Sequence, residues 1–156
     1  MTDPSRCAQE IPAAGSGRTT PIVVVGFDGS ASREHAIAYA AGVSRRTGGA
    51  LLVAYVVSMS PAVGPASLGT EAVSTWPVDD GVWMRPLVEE APDGTATRWR
   101  FTTGCGDVAA VLAQLGHEHH ADALVVGRSR VPARHVLGSV PARLARRARC
   151  PITVVP

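Results

Sequence analysis

The stretch "IVVVGFDGSASREHAIAYAAGVSRRTGGALLVAYVV", residues 22 to 57, contains two apolar runs separated by a longer segment with helical spacing. The runs "IVVVG" and "LLVAYVV" are continuously apolar, which is typical of strands buried on both faces of a parallel sheet. The segment between them places four apolar side chains on one face of a helix: Ala36, Ile37, Ala40 and Val43. A serine before this helix and the pair Gly48 and Gly49 after it are typical helix boundaries. The stretch therefore predicts a β-α-β unit.

The second half of the chain repeats the same alternation. "TRWRFTTG" (97–104) and "ALVVG" (123–127) read as strands, and the helix between them starts with Asp107 as its N-cap. The apolar positions of that helix are Val108, Val111, Leu112 and Leu115. A last helix has an apolar side and an arginine side, formed respectively by Val140, Leu144 and Ala148 and by Arg143, Arg146 and Arg147. "PITVVP" (151–156) follows as a fifth strand, so we predict an α/β fold with a doubly wound, open, parallel sheet between two helical layers.

Two segments do not fit this alternation. Residues 1–20 mix Pro, Gly, Ser and Thr without periodicity, so we expect a disordered leader. Residues 58–97 are also rich in Pro, Gly and Ser, and within them only "MRPLVEEA" could form one or two helical turns. We expect a long irregular loop there, in place of most of a crossover helix. The expected organisation is thus one domain over residues 21–156.

Composition excludes several chemistries. The 15 basic residues counted as Lys or Arg are all arginine, so a Walker A lysine and a Schiff-base lysine are impossible. Seven of the arginines fall within residues 121–156, where Asp122 is the only acidic residue. They form either solvated helix faces or a positive surface that attracts phosphate-bearing ligands. The odd cysteine count and the lack of an apolar leader or a bilayer-length apolar run predict a cytoplasmic protein without a membrane segment.

Candidate ligand-binding residues follow the first and fourth strands. In doubly wound sheets ligands bind beyond the carboxyl ends of the strands, and Asp28 lies there with a carboxylate that can accept hydrogen bonds from ribose or adenine. Gly127 ends the fourth strand without a side chain, so a ligand can approach its backbone closely. Gly138 and Ser139 open the last helix and could hold an anion through backbone N–H groups. The alternatives are purely structural: Asp28 stabilises its turn and Ser139 is an ordinary N-cap.

Neither a metal site nor a catalytic site is predicted. The cluster "GHEHHAD" (116–122) contains three histidines and two acids, but its spacing gives no pair of histidines four residues apart on a helix. No Ser/His/Asp or Cys/His constellation can be argued from spacing, so we assign no catalytic residue.

Several of these pieces together carry a family resemblance. With "IVVVGFDGS", "LLVAYVV", "GCGDVAAVL" and "ADALVVGRS…LGSVPARLARRARCPITVVP", the chain resembles a universal stress protein domain over residues 21–156. The resemblance implies the strand order 3-2-1-4-5, a homodimer often paired through the last strand, and a regulatory or ligand-sensing role rather than turnover, with slow ATP hydrolysis at most. It also implies binding of ATP or a related adenine nucleotide, with or without magnesium. On this basis Asp28 would contact adenine or ribose, Val56 would flank the base, and Gly127, Gly138 and Ser139 would hold phosphate.

The expected phosphate-binding pattern is altered in this chain. Nucleotide-binding members are expected to carry Gly, two residues, Gly, nine residues, then Gly with Ser or Thr. Here Gly127 is followed by two residues, Arg130, seven residues, and Gly138 with Ser139. Arg130 either fills the space where backbone would wrap phosphate, or reaches phosphate with its guanidinium.

Three functions therefore stay open. The first is a nucleotide-binding regulator, and the second is an interaction module that has lost the nucleotide site and acts on an unknown protein partner through its dimer surface and the 58–97 loop. The third, nucleic-acid binding through the arginine-rich C-terminal region, is disfavoured because interleaved aromatic residues and a recognition motif are missing.

Overall fold

The computed structural model describes residues 20–27, 33–58, 97–128 and 139–156. The described elements are the strands β1 (Ile22–Phe27), β2 (Ala50–Ser58), β3 (Arg98–Gly106), β4 (Ala123–Gly127) and β5 (Ile152–Val155), and the helices α1 (Arg33–Thr47), α2 (Val108–Glu118) and α3 (Val140–Ala145). Strand β2 includes Ser58, the first residue of the predicted loop. The predictions for residues 1–19 and 59–96 lie outside the described residues.

The five strands form one parallel sheet with the order β3-β2-β1-β4-β5, which confirms the predicted topology. Strand β1 lies in the centre, where Val24 is in register with Leu52 of β2 on one side and Leu124 of β4 on the other. All three side chains are almost completely buried. A continuously apolar strand is required at this position because both of its faces are covered.

Helix α1 covers one face of the sheet. Its residues Ala36, Ile37, Ala40 and Ala41 are fully buried against a cluster from β1, β2 and β4 that includes Val25. The predicted apolar stripe of α1 is therefore confirmed, and Val43 packs against the same cluster as a partly buried residue.

Helices α2 and α3 cover the opposite face. Leu112 of α2 and Leu144 of α3 are fully buried in one cluster with Val24, Leu52 and Val126 of the sheet. The helices on both faces confirm the three-layer α/β/α architecture. Burial of a leucine side chain contributes about 1.5–3 kcal/mol, so each of these helices is held mainly through its apolar side.

The turn between α1 and β2 brings two backbones into close contact. Gly48 has a φ of +63°, which glycine adopts readily. Gly49 has an ordinary φ, but a Cβ at this position would lie 2.4 Å from the carbonyl oxygen of Pro21. The same oxygen accepts the N–H of Ala50 at 2.7 Å, so it cannot move away without weakening the start of β2.

This difference predicts unequal costs for two neighbouring substitutions. Gly48→Ala should lower the free energy of unfolding by about 1 kcal/mol, because only the left-handed backbone disfavours it. Gly49→Ala should lower it by about 2 kcal/mol or more, because backbone atoms must move. Urea denaturation of the two variants measures both costs, with Gly48→Asn as a control that should cost less than Gly48→Ala. Equal losses for the two alanine variants would contradict the close contact.

Candidate functional site

The strand order locates the edge of the sheet at which a ligand would bind. All strands are parallel, so their carboxyl ends meet at one edge, here called the carboxyl edge. From β1 the chain passes to β2 and β3 on one side, and β4 and β5 lie on the other side. The order therefore reverses between β1 and β4, where Gly26 is in register with Val126. Ligands of doubly wound folds bind in the crevice beyond such a switch point.

Two of the predicted phosphate-binding residues are described. Gly127 is the last residue of β4, and β4 continues its pairing with β5 through the N–H of Arg128, which donates to the carbonyl of Val155 at 2.7 Å. Ser139 has extended backbone and is the N-cap of α3, which is the structural alternative given for it above. Its Oγ accepts the N–H of Ala142 at 3.4 Å, a long capping bond. Gly127 and Ser139 therefore bracket the segment for which phosphate contacts are predicted, and their contact with phosphate stays a prediction.

Asp28, Arg130 and Gly138 lie outside the described residues. Asp28 directly follows β1, and the other two belong to the segment between β4 and α3. Their predicted roles, including the two alternatives for Arg130, stay predictions.

Val56 lies at the carboxyl edge but faces the core. Tyr55 is in register with Phe27, the last residue of β1, so Val56 extends one residue beyond that strand. Its side chain is 2% exposed and packs in the cluster beneath α2. Packing explains the residue type at this position, and contact with a base stays a prediction.

Asp107 makes contacts that the sequence analysis did not predict. As expected, it is the N-cap of α2, and its Oδ1 accepts the N–H of Ala110 at 2.8 Å. In addition, its Oδ2 forms an ion pair with Nη1 of Arg143 in α3, and Nη1 of Arg147 lies 4.0 Å from Oδ1. In the sequence pattern both arginines lie on the side of their helix opposite the apolar residues. Only the topology could have indicated the contact, because it places α2 and α3 on one face with both helices starting at the carboxyl edge.

The histidine-rich end of α2 is a structural junction. Asp122 holds the start of β1 twice: its Oδ2 accepts the N–H of Ile22 at 2.8 Å, and its own N–H donates to the Ile22 carbonyl at 2.8 Å. His119 is the C-cap of α2, and Glu118 accepts a hydrogen bond from Gln114 at 2.7 Å. Within the described part of the chain, no group of His, Cys, Asp and Glu side chains could hold a metal ion.

No helix of the described residues is long and apolar enough to cross a membrane.

Comparison with known proteins identifies the family. A sequence profile described as the universal stress protein family matches residues 20–156. The chain belongs to the universal stress protein family. The family therefore covers every described element of the fold, from β1 to β5.

Solved universal stress proteins have the same architecture. One, a universal stress protein in complex with cAMP, is 27% identical with a TM-score of 0.62 and covers 88% of this chain and 98% of its own. UspA from Lactobacillus plantarum is 20% identical with a TM-score of 0.62, over 90% of this chain and 100% of its own. A universal stress protein from Archaeoglobus fulgidus in complex with dAMP is 18% identical with a TM-score of 0.55, over 88% of this chain and 98% of its own. The last two support the fold alone, and a search of curated proteins found no match.

In this universal stress protein the carboxyl group of Asp107 is held in its charged form. Burial by itself would raise the pKa of Asp107, but the N–H of Ala110 and the positive charges of Arg143 and Arg147 outweigh burial and lower it. A carboxylate whose pKa is lowered by folding stabilises the protein above its unfolded pKa. That contribution is lost as the pH falls through the lower, folded pKa.

Replacement of Asp107 by asparagine should therefore reduce stability at neutral pH but not at strongly acidic pH. Asparagine is as good an N-cap as aspartate, so Asp107→Asn removes the ion pair and keeps the cap. At pH 7 it should cost up to about 1 kcal/mol, a small amount because the pair is partly exposed. The gap in free energy of unfolding between the variant and the wild type should be constant above the ordinary pKa of 3.8. It should close as the pH falls below that value. Urea denaturation from pH 7 to 2.5 measures this gap, and a gap that persists at the lowest pH would contradict the interpretation.

Proposed function

We propose that this protein is a ligand-sensing domain that binds an adenine nucleotide at the carboxyl edge, between β1 and β4. The observation that carries the proposal is the position of the switch point, since Gly127 and Ser139 bracket a segment that starts there. A further support is the cAMP complex of the universal stress protein that is 27% identical to this chain.

The proposed site has an adenosine side and a phosphate side. On the adenosine side, the carboxylate of Asp28 accepts hydrogen bonds from ribose or the adenine amino group, and Val56 flanks the base. On the phosphate side, Gly127 offers a backbone without a side chain, and Gly138 and Ser139 offer N–H groups. Gly127 and Ser139 are both partly exposed at the carboxyl edge, which is compatible with this role.

The way in which the phosphate group is bound depends on Arg130 in this proposal. In our proposal its guanidinium contacts phosphate directly, in place of the backbone turn that a glycine would allow, since arginine matches phosphate with paired N–H donors. The ligand is ATP or a related adenine nucleotide, with magnesium where the phosphate chain is long. The protein senses this ligand, and slow hydrolysis is the most that we expect.

Calorimetric titration of nucleotide-free protein with cAMP, AMP and ATP, the last with and without Mg²⁺, tests the proposal. The wild type should bind at least one of them saturably. Asp28→Ala should weaken binding about tenfold, the effect of losing one hydrogen bond to a charged group. Arg130→Gly should also weaken it.

Two control variants change similar residues at the opposite edge of the sheet. Glu118→Ala and Arg149→Gly alter exposed side chains far from the carboxyl edge and should leave the affinity unchanged. Binding that appears only in Arg130→Gly would mean that the arginine closes the site. Absence of binding in the folded wild type would refute the proposal.

A second candidate function is a protein-interaction module without a nucleotide site. The replacement of the expected glycine by Arg130, in a loop two residues shorter than the family pattern, favours it. In both candidates we propose a homodimer paired through β5. This strand is an edge of the described sheet, and its Val154 is 45% exposed. An apolar edge strand left open would otherwise promote non-specific pairing.

The homodimer predicts a specific effect of charge on β5. Val154→Arg should shift the protein from dimer to monomer, because an arginine at the centre of the interface cannot be desolvated without a partner. Tyr39→Arg is the matched control, since Tyr39 is a large hydrophobic residue of similar exposure, 43%, on α1. Size-exclusion chromatography with light scattering measures both variants. A monomeric wild type at micromolar concentration, or a dimer that survives Val154→Arg, would contradict pairing through β5.

A further inference from the structure

Two arginine side chains of α1 converge on the same point of the helix surface. A Cβ built on Gly42 would lie 3.2 Å from Nη1 of Arg46 and 3.8 Å from Nη2 of Arg45. The two nitrogens are therefore no further apart than the sum of these distances. Like charges at such a separation repel each other, so this arrangement of Arg45 and Arg46, here called the arginine pair, costs electrostatic free energy when no anion lies between them.

No acidic side chain in the described part of the chain supplies that anion. Among the residues that the structure describes, the ion pairs are those of Asp107 with Arg143 and Arg147. An acid that supports an arginine on a helix usually lies three or four residues before it, and for the arginine pair this position is Gly42. Glu34, in the first turn of α1, is about three turns away. Within the described residues, the positive charge of the pair is thus not balanced.

Capping of the helix end does not account for the direction of the arginine pair. The hydroxyl group of Thr47 shares a hydrogen bond between the carbonyls of Val43 and Ser44, each at 3.1 Å, and the N–H of Gly48 donates to the Arg45 carbonyl at 3.1 Å. These carbonyl groups near the end of α1 therefore have donors already. The guanidinium nitrogens lie one turn earlier, where a group that approaches α1 from outside can reach them.

An exposed aromatic residue lies beside the arginine pair. Tyr39 is three residues before Gly42, so its side chain lies on the neighbouring turn of the same side of α1. It is 43% exposed, and Tyr39 and Val154 are the exposed large hydrophobic residues in the described part of the chain. Tyrosine and arginine are enriched among the residues that contribute most to binding at protein interfaces. This side of α1 thus combines an aromatic ring, two guanidinium groups and a position without a side chain.

We propose that the surface formed by Tyr39, Gly42, Arg45 and Arg46, here called the α1 surface, is a docking site for an acidic segment of a partner protein. A carboxylate above Gly42 can bond both guanidinium groups, because charge-assisted hydrogen bonds of about 2.7–2.9 Å to each of its oxygens span the distance between them. An apolar side chain next to the acid packs on the ring of Tyr39. The α1 surface lies on a helix side and not at the carboxyl edge, so the proposal does not depend on nucleotide binding.

An acidic protein segment fits the α1 surface better than a nucleic acid or a free anion. Nucleic acids gain affinity from many phosphate contacts along a basic track, whereas α1 offers the arginine pair and carries Glu34 at its other end. A free anion would gain little, because water and salt screen exposed charges. A protein segment can combine a carboxylate with an apolar contact to Tyr39, which uses both features of the surface.

Selection from a phage-displayed library of short random peptides, with the full-length protein as the target, tests the proposal. The enriched peptides should contain acidic residues next to an apolar residue. A fluorescein-labelled synthetic peptide of the most enriched sequence is then titrated with the protein, and its anisotropy is measured. Arg45→Gln and Arg46→Gln should each weaken its binding about tenfold, the effect of losing one charge-assisted hydrogen bond. Tyr39→Ala should also weaken it.

Two substitutions of Gly42 form a matched pair. Gly42→Glu places a carboxylate four residues before Arg46, where it binds the arginine pair within the helix and excludes the partner. Gly42→Gln adds a side chain of similar shape without the charge. Both should raise the midpoint of urea denaturation, because glycine is a poor helix former, and Gly42→Glu should raise it more. Peptide binding should be lost in Gly42→Glu and weakened less in Gly42→Gln, and equal affinities of the two would overturn the proposal.

Arg149→Gln is the control for a general effect of positive charge, because Arg149 is an exposed arginine outside α1. This variant should keep the peptide affinity of the wild type. Arg45→Gln and Arg46→Gln should not lower the midpoint of urea denaturation, since the two charges repel each other. A lower midpoint in both would show that the arginine pair stabilises the fold, and it would overturn the proposal.

The remaining outcomes also decide the proposal. A library that yields no enriched peptide, or enriched peptides without acidic residues, would overturn it, and so would equal affinity losses in Arg149→Gln and Arg46→Gln. A fluorescein-labelled single-stranded DNA is the second probe. If the DNA binds more tightly than the peptide and loses its affinity in Arg45→Gln and Arg46→Gln, the α1 surface binds nucleic acids and the assignment to a protein segment is wrong.

Discussion

Strand β1 is paired on both edges and covered on both faces, and the arrangement of every other described element follows from this. Its two neighbours β2 and β4 are parallel to it, so each connection must cross the sheet and return over a face. A helix that packs on a face needs apolar contacts from the strands beneath it, and Val23, Val24 and Val25 provide them alternately to the two faces. Because three consecutive valines are almost fully buried, β1 tolerates no polar side chain in its central part.

The central strand also controls how closely α2 approaches the carboxyl edge. At Gly26, a Cβ would lie 2.3 Å from Cδ1 of Leu112, so the missing side chain lets α2 pack directly on the end of β1. Gly104 of β3 has the same relation to α2, since its Cβ would lie 2.7 Å from Cγ1 of Val111. Glycine at both positions thus allows α2 to pack closely on the strands beneath it. Asp107 directly follows β3, so the start of α2 lies at the carboxyl edge of the sheet.

Local patterns were sufficient to predict most of the described fold. The continuous apolar runs predicted β1, β2 and β4, and the spacing of apolar residues predicted the buried sides of α1 and α2. Asp107 and Ser139 were recognised as N-caps because short polar residues precede apolar periodic segments. The strand order was available from the family resemblance, since no local pattern distinguishes a central strand from an edge.

The contact between Asp107 and Arg143 could not be predicted in the same way, because it joins residues 36 positions apart. Arginine on the outer side of a short amphipathic helix is ordinarily solvated, and its side chain is long enough to reach several partners. Ser44 was missed for a related reason: it is fully buried on α1 beside alanines, although serine is usually exposed. Sequence spacing indicates which side of a helix is apolar, but not which polar side chains are covered by a neighbouring element.

The two anchored ends of the segment between β4 and α3 limit what its altered sequence can do. Gly127 is paired within the sheet and Ser139 caps α3, and the sequence between them is two residues shorter than the family pattern. An extended chain spans at most about 3.3–3.6 Å per residue, so the missing pair reduces the maximum reach of the backbone by about 7 Å. In the proposed site a shorter backbone would surround a phosphate group less completely, and a long side chain with several donors is the proposed replacement. Arginine is chemically suited to that role, because its guanidinium matches phosphate with paired N–H donors.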